Sequence, residues 1–230
     1  MLRIRYFVEG KVVLGYWAIR GLRERARHLL EYLSIPYSEE EYEGAEGRAK
    51  WFDEVKPKLI AKNPAVSLPY LIDGDKVVAE SDAIMVHLCH KGGKPELLGR
   101  DCDEQVLVAT VLGVLKDFHP NYVRLVYGQY NEENPWEKAQ AESREKFAPY
   151  LRKFDGLLGD KDYYAGGLTW IDFAVAEFFQ VLQMLDADYF KDLPRLVAHQ
   201  KRVWALPELK EYFEKRYKER PCNNYIATWK

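Results

Sequence analysis

The chain has 230 residues, 47% of them hydrophobic and 30% charged, with a formal net charge of −2. That is the balance of a soluble globular protein with room for one large domain or two modest ones. It lacks the concentrated basic surface that a nucleic-acid partner demands, and no apolar run approaches a membrane span.

Met1 to Phe7 carries two arginines but is too short and interrupted for a secretory signal. Cys89, Cys102 and Cys222 form no CxxC pair, so free thiols and a cytoplasmic setting are expected. Residues 1–10 read as an extra strand or a loose leader. Val12 to Trp17 is a short apolar run suited to a buried strand. Ile19, Leu22, Ala26, Leu29, Leu30 and Leu33 recur at helical spacing, predicting an amphipathic helix over 20–33. Pro36-Tyr37 to Tyr42 reads as a second strand, parallel to the first through a right-handed crossover. Glu43 to Lys50 is polar and contains glycine, which predicts a loop. A short helical or irregular piece then runs from Trp51 to near Pro57.

Ser67-Leu68-Pro69-Tyr70-Leu71-Ile72-Asp73-Gly74 and Lys76-Val77-Val78-Ala79 form a hairpin pattern around Asp73-Gly74. Pro69 stands at the strand entrance, where it need not donate a ladder bond. Only an X-Pro bond goes cis cheaply. Glu80-Ser81-Asp82 precedes an apolar run, so Ser81 is an N-cap or first-turn residue. Gly92-Gly93-Lys94-Pro95 is a linker. From 102 to 217 the pattern is helical, with breaks near 131–135, 159–167, 188–192 and 205–207. Thr169-Trp170-Ile171-Asp172 opens a helix apolar nearly all round, in which Asp172 caps orphan N–H groups. The tail from Lys218 to Lys230 is irregular.

The order β-α-β-α-β-β-α, the proline at the hairpin entrance, Glu80-Ser81 and the all-helical second half together resemble the cytosolic glutathione transferases. Leu14-Gly15-Tyr16-Trp17-Ala18-Ile19-Arg20-Gly21-Leu22 is similar to the opening motif of the mu class. Leu29-Leu30-Glu31-Tyr32, Trp51, Leu68 to Gly74 and Thr169 to Phe173 match it too. The resemblance implies an α/β thioredoxin-like glutathione-binding domain over residues 1–91, a linker over 92–98 and an all-α helical domain over 99–230. With Tyr16 at the first strand–helix turn and no CxxC, thioredoxin-type redox chemistry is disfavoured.

A thiol attacks as its thiolate, and free cysteine has a pKa of about 8.5. A phenol stays protonated at neutral pH and can donate to that sulfur. Tyr16 matches the family's catalytic tyrosine. The resemblance implies that Trp17 and Leu22 line the glutathione site, and that Trp51, with Lys56, meets the glycyl carboxylate. By the same resemblance, Leu68, before Pro69 as the expected cis proline, would offer its backbone to the cysteinyl unit, and Ser81 would hold the γ-glutamyl carboxylate. Glu80 stands where the mu class usually has glutamine, and could pair with the γ-glutamyl ammonium. Asp117 would complete the partner's site across a homodimer, and Tyr127, with Tyr122 and Tyr130 close by in sequence, would face the electrophile. Asn63-Pro64-Ala65-Val66 lacks the aromatic with which the mu class locks its dimer.

Glutathione would be a cosubstrate, with no metal and no held cofactor. His87, Cys89 and His90 read as structural, because they lack a convincing fourth ligand. The expected activity is conjugation of glutathione to hydrophobic electrophiles. A glutathione-dependent isomerase of the prostaglandin synthase type and a non-catalytic carrier are the alternatives.

Overall fold

The structure, a computed structural model, describes residues 11–217 and 220–229. The reading of residues 1–10 lies outside them. Four strands form one mixed sheet in the order β2-β1-β3-β4. The apolar strand β1 (Val12–Trp17) lies inside, parallel to β2 (Tyr37–Tyr42) and antiparallel to β3 (Tyr70–Asp73). The parallel pair is joined through α1 (Glu24–Tyr32), which follows a 3₁₀ turn at Gly21–Arg23. The hairpin β3–β4 (Lys76–Ala79) closes at Gly74 with Asp73 opposite Lys76, as the Asp-Gly pair requires. The Leu68–Pro69 bond is cis.

Two sequence expectations fail in this half. Glu43–Lys50 is helical: α2 (Gly44–Ala49) runs through a wide π turn at Lys50–Val55 into α3 (Lys56–Ile60). Gly47 is there because a Cβ would lie 2.7 Å from the Tyr42 carbonyl carbon. The glycine marks close packing of helix on strand, although its propensity argues for a loop. Pro57 likewise does not end the helical piece. It occupies the first turn of α3, where a missing N–H costs nothing.

The amphipathic helix expected over 20–33 is present as the 3₁₀ turn and α1, and its charged face is covered as well: Glu24, Arg25, Ala26, Arg27, His28, Leu29 and Leu30 are all buried. Its leucines enter the main core. Its charges meet charges. Arg27 pairs with Glu24 and, at 2.5 Å, with Glu39 of β2, while Arg23 reaches Glu41 at 2.6 Å. Arg216 and Arg220 cap the same β2 glutamates from the other side. Buried ions persist only when paired, and here the edge strand and the carboxy-terminal segment supply the partners.

The α4 helix (Ser81–Lys91) packs beside α1, and Gly92 closes it by donating to Leu88 O. The expected linker contains a 3₁₀ turn at Pro95–Leu98. Five helices follow: α5 (Cys102–Val126), α6 (Trp136–Leu158), α7 (Trp170–Leu185), α8 (Pro194–Trp204) and α9 (Lys210–Lys215). The apolar α7 is the buried centre and touches α1, α4, α5 and α8. Asp172 anchors its start. Its carboxylate accepts from the Thr169 N–H and hydroxyl and from the Tyr164 N–H, and lies 2.9 Å from the His199 Nε2. One hydrophobic core runs from Val12 and Leu14 through α1 and α4 into α7, so the sheet and the helices share an interior. Residues 220–229 form neither helix nor strand.

Candidate functional site

A cleft of about 440 Å³ opens where the end of β1, the start of α4, α5, α7 and the tail converge. Tyr16, Leu22, Glu80, Ser81 and Tyr127 all line it. Five residues expected at a site thus come together from positions 111 apart in sequence, counting from 16 to 127.

Tyr16 sits near the end of β1, and the chain then turns sharply over its ring. Gly21 makes that turn with φ +45°, and a Cβ there would stand 2.8 Å from the Tyr16 Cε1. The turn brings the Leu22 N–H to the phenol, which accepts from it at 3.4 Å. The phenolic proton finds no acceptor among the described residues. Burial pushes the Tyr16 pKa above the usual phenol value; the Leu22 N–H and the cations of Arg23 and Arg25 pull weakly the other way. Tyr16 is therefore a neutral donor with an unspent proton.

Tyr127, just past the end of α5, is held in the same manner. Its hydroxyl accepts from the backbone N–H of Asn224 at 2.9 Å. Tyr122 likewise accepts, from the Asn223 side chain at 2.7 Å. Tyr130 donates to Leu125 O and stacks edge-on against Trp136, away from the cleft. Of the three tyrosines, Tyr122 and Tyr127 line the cleft and Tyr130 does not.

Glu80 is exposed and adopts φ +69°, which swings the chain into α4. Ser81 is the first residue of that helix, so the N–H groups of its first turn face outward without intrahelical partners. Such an end favours an anion. Leu68 and Trp17 pack against the second core cluster, which contains Trp51. There Trp51 stacks on Tyr70 at 5.5 Å and 13°, and Trp17 meets Tyr42 edge-on. Pro69 is buried beside them. Lys56 is half-buried with its ammonium 5.7 Å from the Phe52 ring. None of Trp17, Trp51, Lys56, Leu68 and Pro69 lines the cleft itself. Asp117 is exposed on α5 and also lies outside it. Val66, where the aromatic was missing, turns into the second cluster.

Several lining residues escaped sequence reasoning. Arg25 of α1 donates to Ser81 Oγ at 2.5 Å and pairs with Asp82 at 3.0 Å. Lys116 of α5 pairs with the other Asp82 oxygen at 2.6 Å. His119 faces the cleft, and burial lowers its pKa to about 4, helped by the Arg25 charge, so it is neutral at physiological pH. Glu177 forms part of the lining and is bound by Arg20 at 2.8 Å and by the Tyr217 hydroxyl at 2.9 Å. Cys222 and Asn223 bring the irregular tail in as a wall. Among the described residues no cluster of three or more His, Cys, Asp or Glu could hold a metal ion. His87 lies instead 2.9 Å from Asp73, beside Lys91.

A thioredoxin-like sheet domain followed by a helical domain, with an interdomain cleft that starts at a strand-end tyrosine, defines the class of fold. Residues 12–90 match the family description "Glutathione S-transferase, N-terminal domain", and residues 116–216 match "Glutathione S-transferase, C-terminal domain". The chain belongs to the glutathione S-transferase family, and is a transferase of that kind. Similar relatives include "Glutathione S-transferase class-mu 26 kDa isozyme 51" of Fasciola hepatica, 32% identical over 94% of both chains. "Glutathione S-transferase Mu 3" of Homo sapiens is 31% identical over 96% of both. Among solved structures, "rat hPGDS complexed with a quinoline" superposes with a TM-score of 0.72 at 28% identity, over 90% of this chain and 97% of that one.

Proposed function

We propose that the protein conjugates the thiolate of reduced glutathione to hydrophobic electrophiles. The observation that carries this reading is the free phenolic proton of Tyr16, held toward the cleft by the Leu22 N–H. Donated to a bound thiol sulfur, it favours the ionised form, and each pKa unit of lowering is worth about 1.4 kcal/mol. The thiol proton leaves to solvent. The sulfur pair then forms the bond to the electrophilic carbon, and the leaving group departs with its own electron pair.

Glutathione would lie with its γ-glutamyl carboxylate at Ser81 and the first turn of α4, and its ammonium toward Glu80. Its cysteinyl unit would pair with the Leu68 backbone ahead of Pro69, and its glycyl carboxylate would extend toward Trp51 and Lys56, past Trp17. The electrophile would rest near Tyr127 against Ile19, Leu112, Val123 and Phe178, an apolar wall that supports a hydrophobic second substrate. Asp117, exposed on α5, is free to reach a second copy of the chain in a homodimer. A cytoplasmic setting is consistent with three free cysteines, and among the described residues no helix is long and apolar enough to cross a membrane.

The test is Tyr16→Phe, assayed with chlorodinitrobenzene. The expected result is a fall in kcat of about 10²–10³-fold, with the ultraviolet absorbance of bound thiolate lost at neutral pH and glutathione affinity kept. Full activity in this variant overturns the mechanism. A wild-type protein that binds glutathione but turns over no electrophile is a carrier.

A further inference from the structure

The α1 helix carries arginines at 23, 25 and 27, and they divide by helical geometry. Arg23 and Arg27, one turn apart, both face the glutamates of β2. Arg25 points the other way, into the cleft, although only 7% of it is exposed. Its Nη2 contacts both Ser81 Oγ, at 2.5 Å, and Asp82 Oδ1, at 3.0 Å. Its Nε is buried with no hydrogen-bond partner. A charge placed under cover with a donor unspent is costly, and such placements concentrate at functional sites.

Two consequences follow for an anion at the start of α4. A serine hydroxyl has one proton and two lone pairs. With Arg25 donating to the oxygen, the proton must turn away from the guanidinium, and among the described residues it has no acceptor. It is therefore available to a ligand. Asp82, the second residue of α4, would repel a carboxylate arriving there. Arg25 engages one of its oxygens and Lys116 the other, which cancels that repulsion. Glu80 remains the acid nearest the helix start, exposed and on the other side of Ser81.

Resting on the function proposed above, we propose that Arg25 is a positioning residue for the γ-glutamyl end of glutathione. It aims the Ser81 proton at the ligand's α-carboxylate and offsets Asp82, and so selects thiol peptides that carry this carboxylate. It acts through Ser81 and Asp82 and does not touch the reacting sulfur.

The experiment compares S-hexylglutathione with its analogue in which 4-aminobutyryl replaces γ-glutamyl, and which therefore lacks only that carboxylate. Binding is measured by calorimetry for the wild type, Arg25→Met and Arg25→Gln. The wild type should prefer S-hexylglutathione on the order of 100-fold, and either variant should reduce that ratio on the order of tenfold, the size of a lost charge-assisted bond. The loss should fall on S-hexylglutathione alone. Adding Ser81→Ala to Arg25→Met should change the ratio little further. If both affinities fall together and the ratio holds, Arg25 is structural and this inference is overturned, with the proposed function intact. If the wild type binds neither ligand, the functional reading falls and takes the inference with it. Should neither variant fold, a crystal structure of the unaltered protein with S-hexylglutathione decides. Ser81 Oγ must lie within hydrogen-bond distance of both Arg25 Nη2 and the α-carboxylate; a carboxylate seated elsewhere overturns the proposal.

Discussion

The hydroxyl of Tyr127 accepts a hydrogen bond from the backbone N–H of Asn224 at 2.9 Å. It ties the end of α5 to the tail that walls the cleft. Tyr127→Phe removes the acceptor and leaves the ring. One such bond contributes about 1 kcal/mol, so amide exchange at Asn224 should quicken roughly fivefold. The neighbouring contact between Asn223 and Tyr122 should hold the rest of the tail. Unchanged exchange at Asn224 would mean that the hydroxyl does not anchor it.

Tyr16 should shape the pH profile by what it fails to do. Burial raises its pKa above 10, so the donating form persists throughout the range in which a thiol ionises. The rate should rise with pH as the bound thiol loses its proton, then level off. No descending limb from phenol ionisation should appear below about pH 10. Stopped-flow kcat/KM from pH 5.5 to 9.5 measures it, and a decline above pH 8 with a tyrosinate signature would contradict the burial argument.

Gly21→Ala should damage the site more than the fold. The residue has φ +45°, and its new methyl would press on the Tyr16 ring and hydroxyl, 2.8 and 3.0 Å away. A strained left-handed alanine costs about 1–2 kcal/mol, measurable by urea denaturation. The displaced phenol should lower kcat well beyond what that loss of stability explains, and glutathione affinity should change little. If kcat is unchanged, the turn does not set the tyrosine's position.

Arg20 and Glu177 form a buried pair across the two domains, with both Nε and Nη2 donating to one carboxylate oxygen. The Tyr217 ring lies 4.1 Å from the guanidinium carbon, and the Arg20 N–H donates to Pro221 O. Arg20→Met should cost about 3–5 kcal/mol, because it strands the carboxylate. The double variant with Glu177→Leu should recover much of that. Urea midpoints of the two single variants and the double variant give the coupling. Additive losses would show that the pair is not the interdomain tie.

The strands could be read from residues, Val12 to Trp17 by apolar continuity and β3–β4 by Asp73-Gly74, whereas the pairing of β1 with β3 that sets the sheet order could not. The helices of the second half follow from their period and from Thr169–Asp172. Gly44 and Gly47 concealed α2, since the same residue that weakens a helix also permits a helix to press against Tyr42. The burial of the charged face of α1 was hidden for a related reason. Pattern alone does not say whether Glu24 and Arg27 meet water or each other, and the answer lies in Glu39, Arg216 and Arg220, far along the chain. The site divides in the same way. Tyr16, Ser81 and Tyr127 stand in recognisable motifs, whereas Arg25 looks like one more charge in a charged helix. Cys222 and Asn223 belong to a segment without period, and only the folded path brings them to Tyr122 and the cleft.

Because Pro221, Cys222, Asn223 and Asn224 bond to Arg20, Tyr122 and Tyr127 or line the cleft, one bank of that cavity is synthesised after all its other walls. On the ribosome, the chemistry implied by residue 16 must wait until more than two hundred further residues have emerged. A chain stopped just before Pro221 would carry every motif residue named above and still have an open-sided chamber.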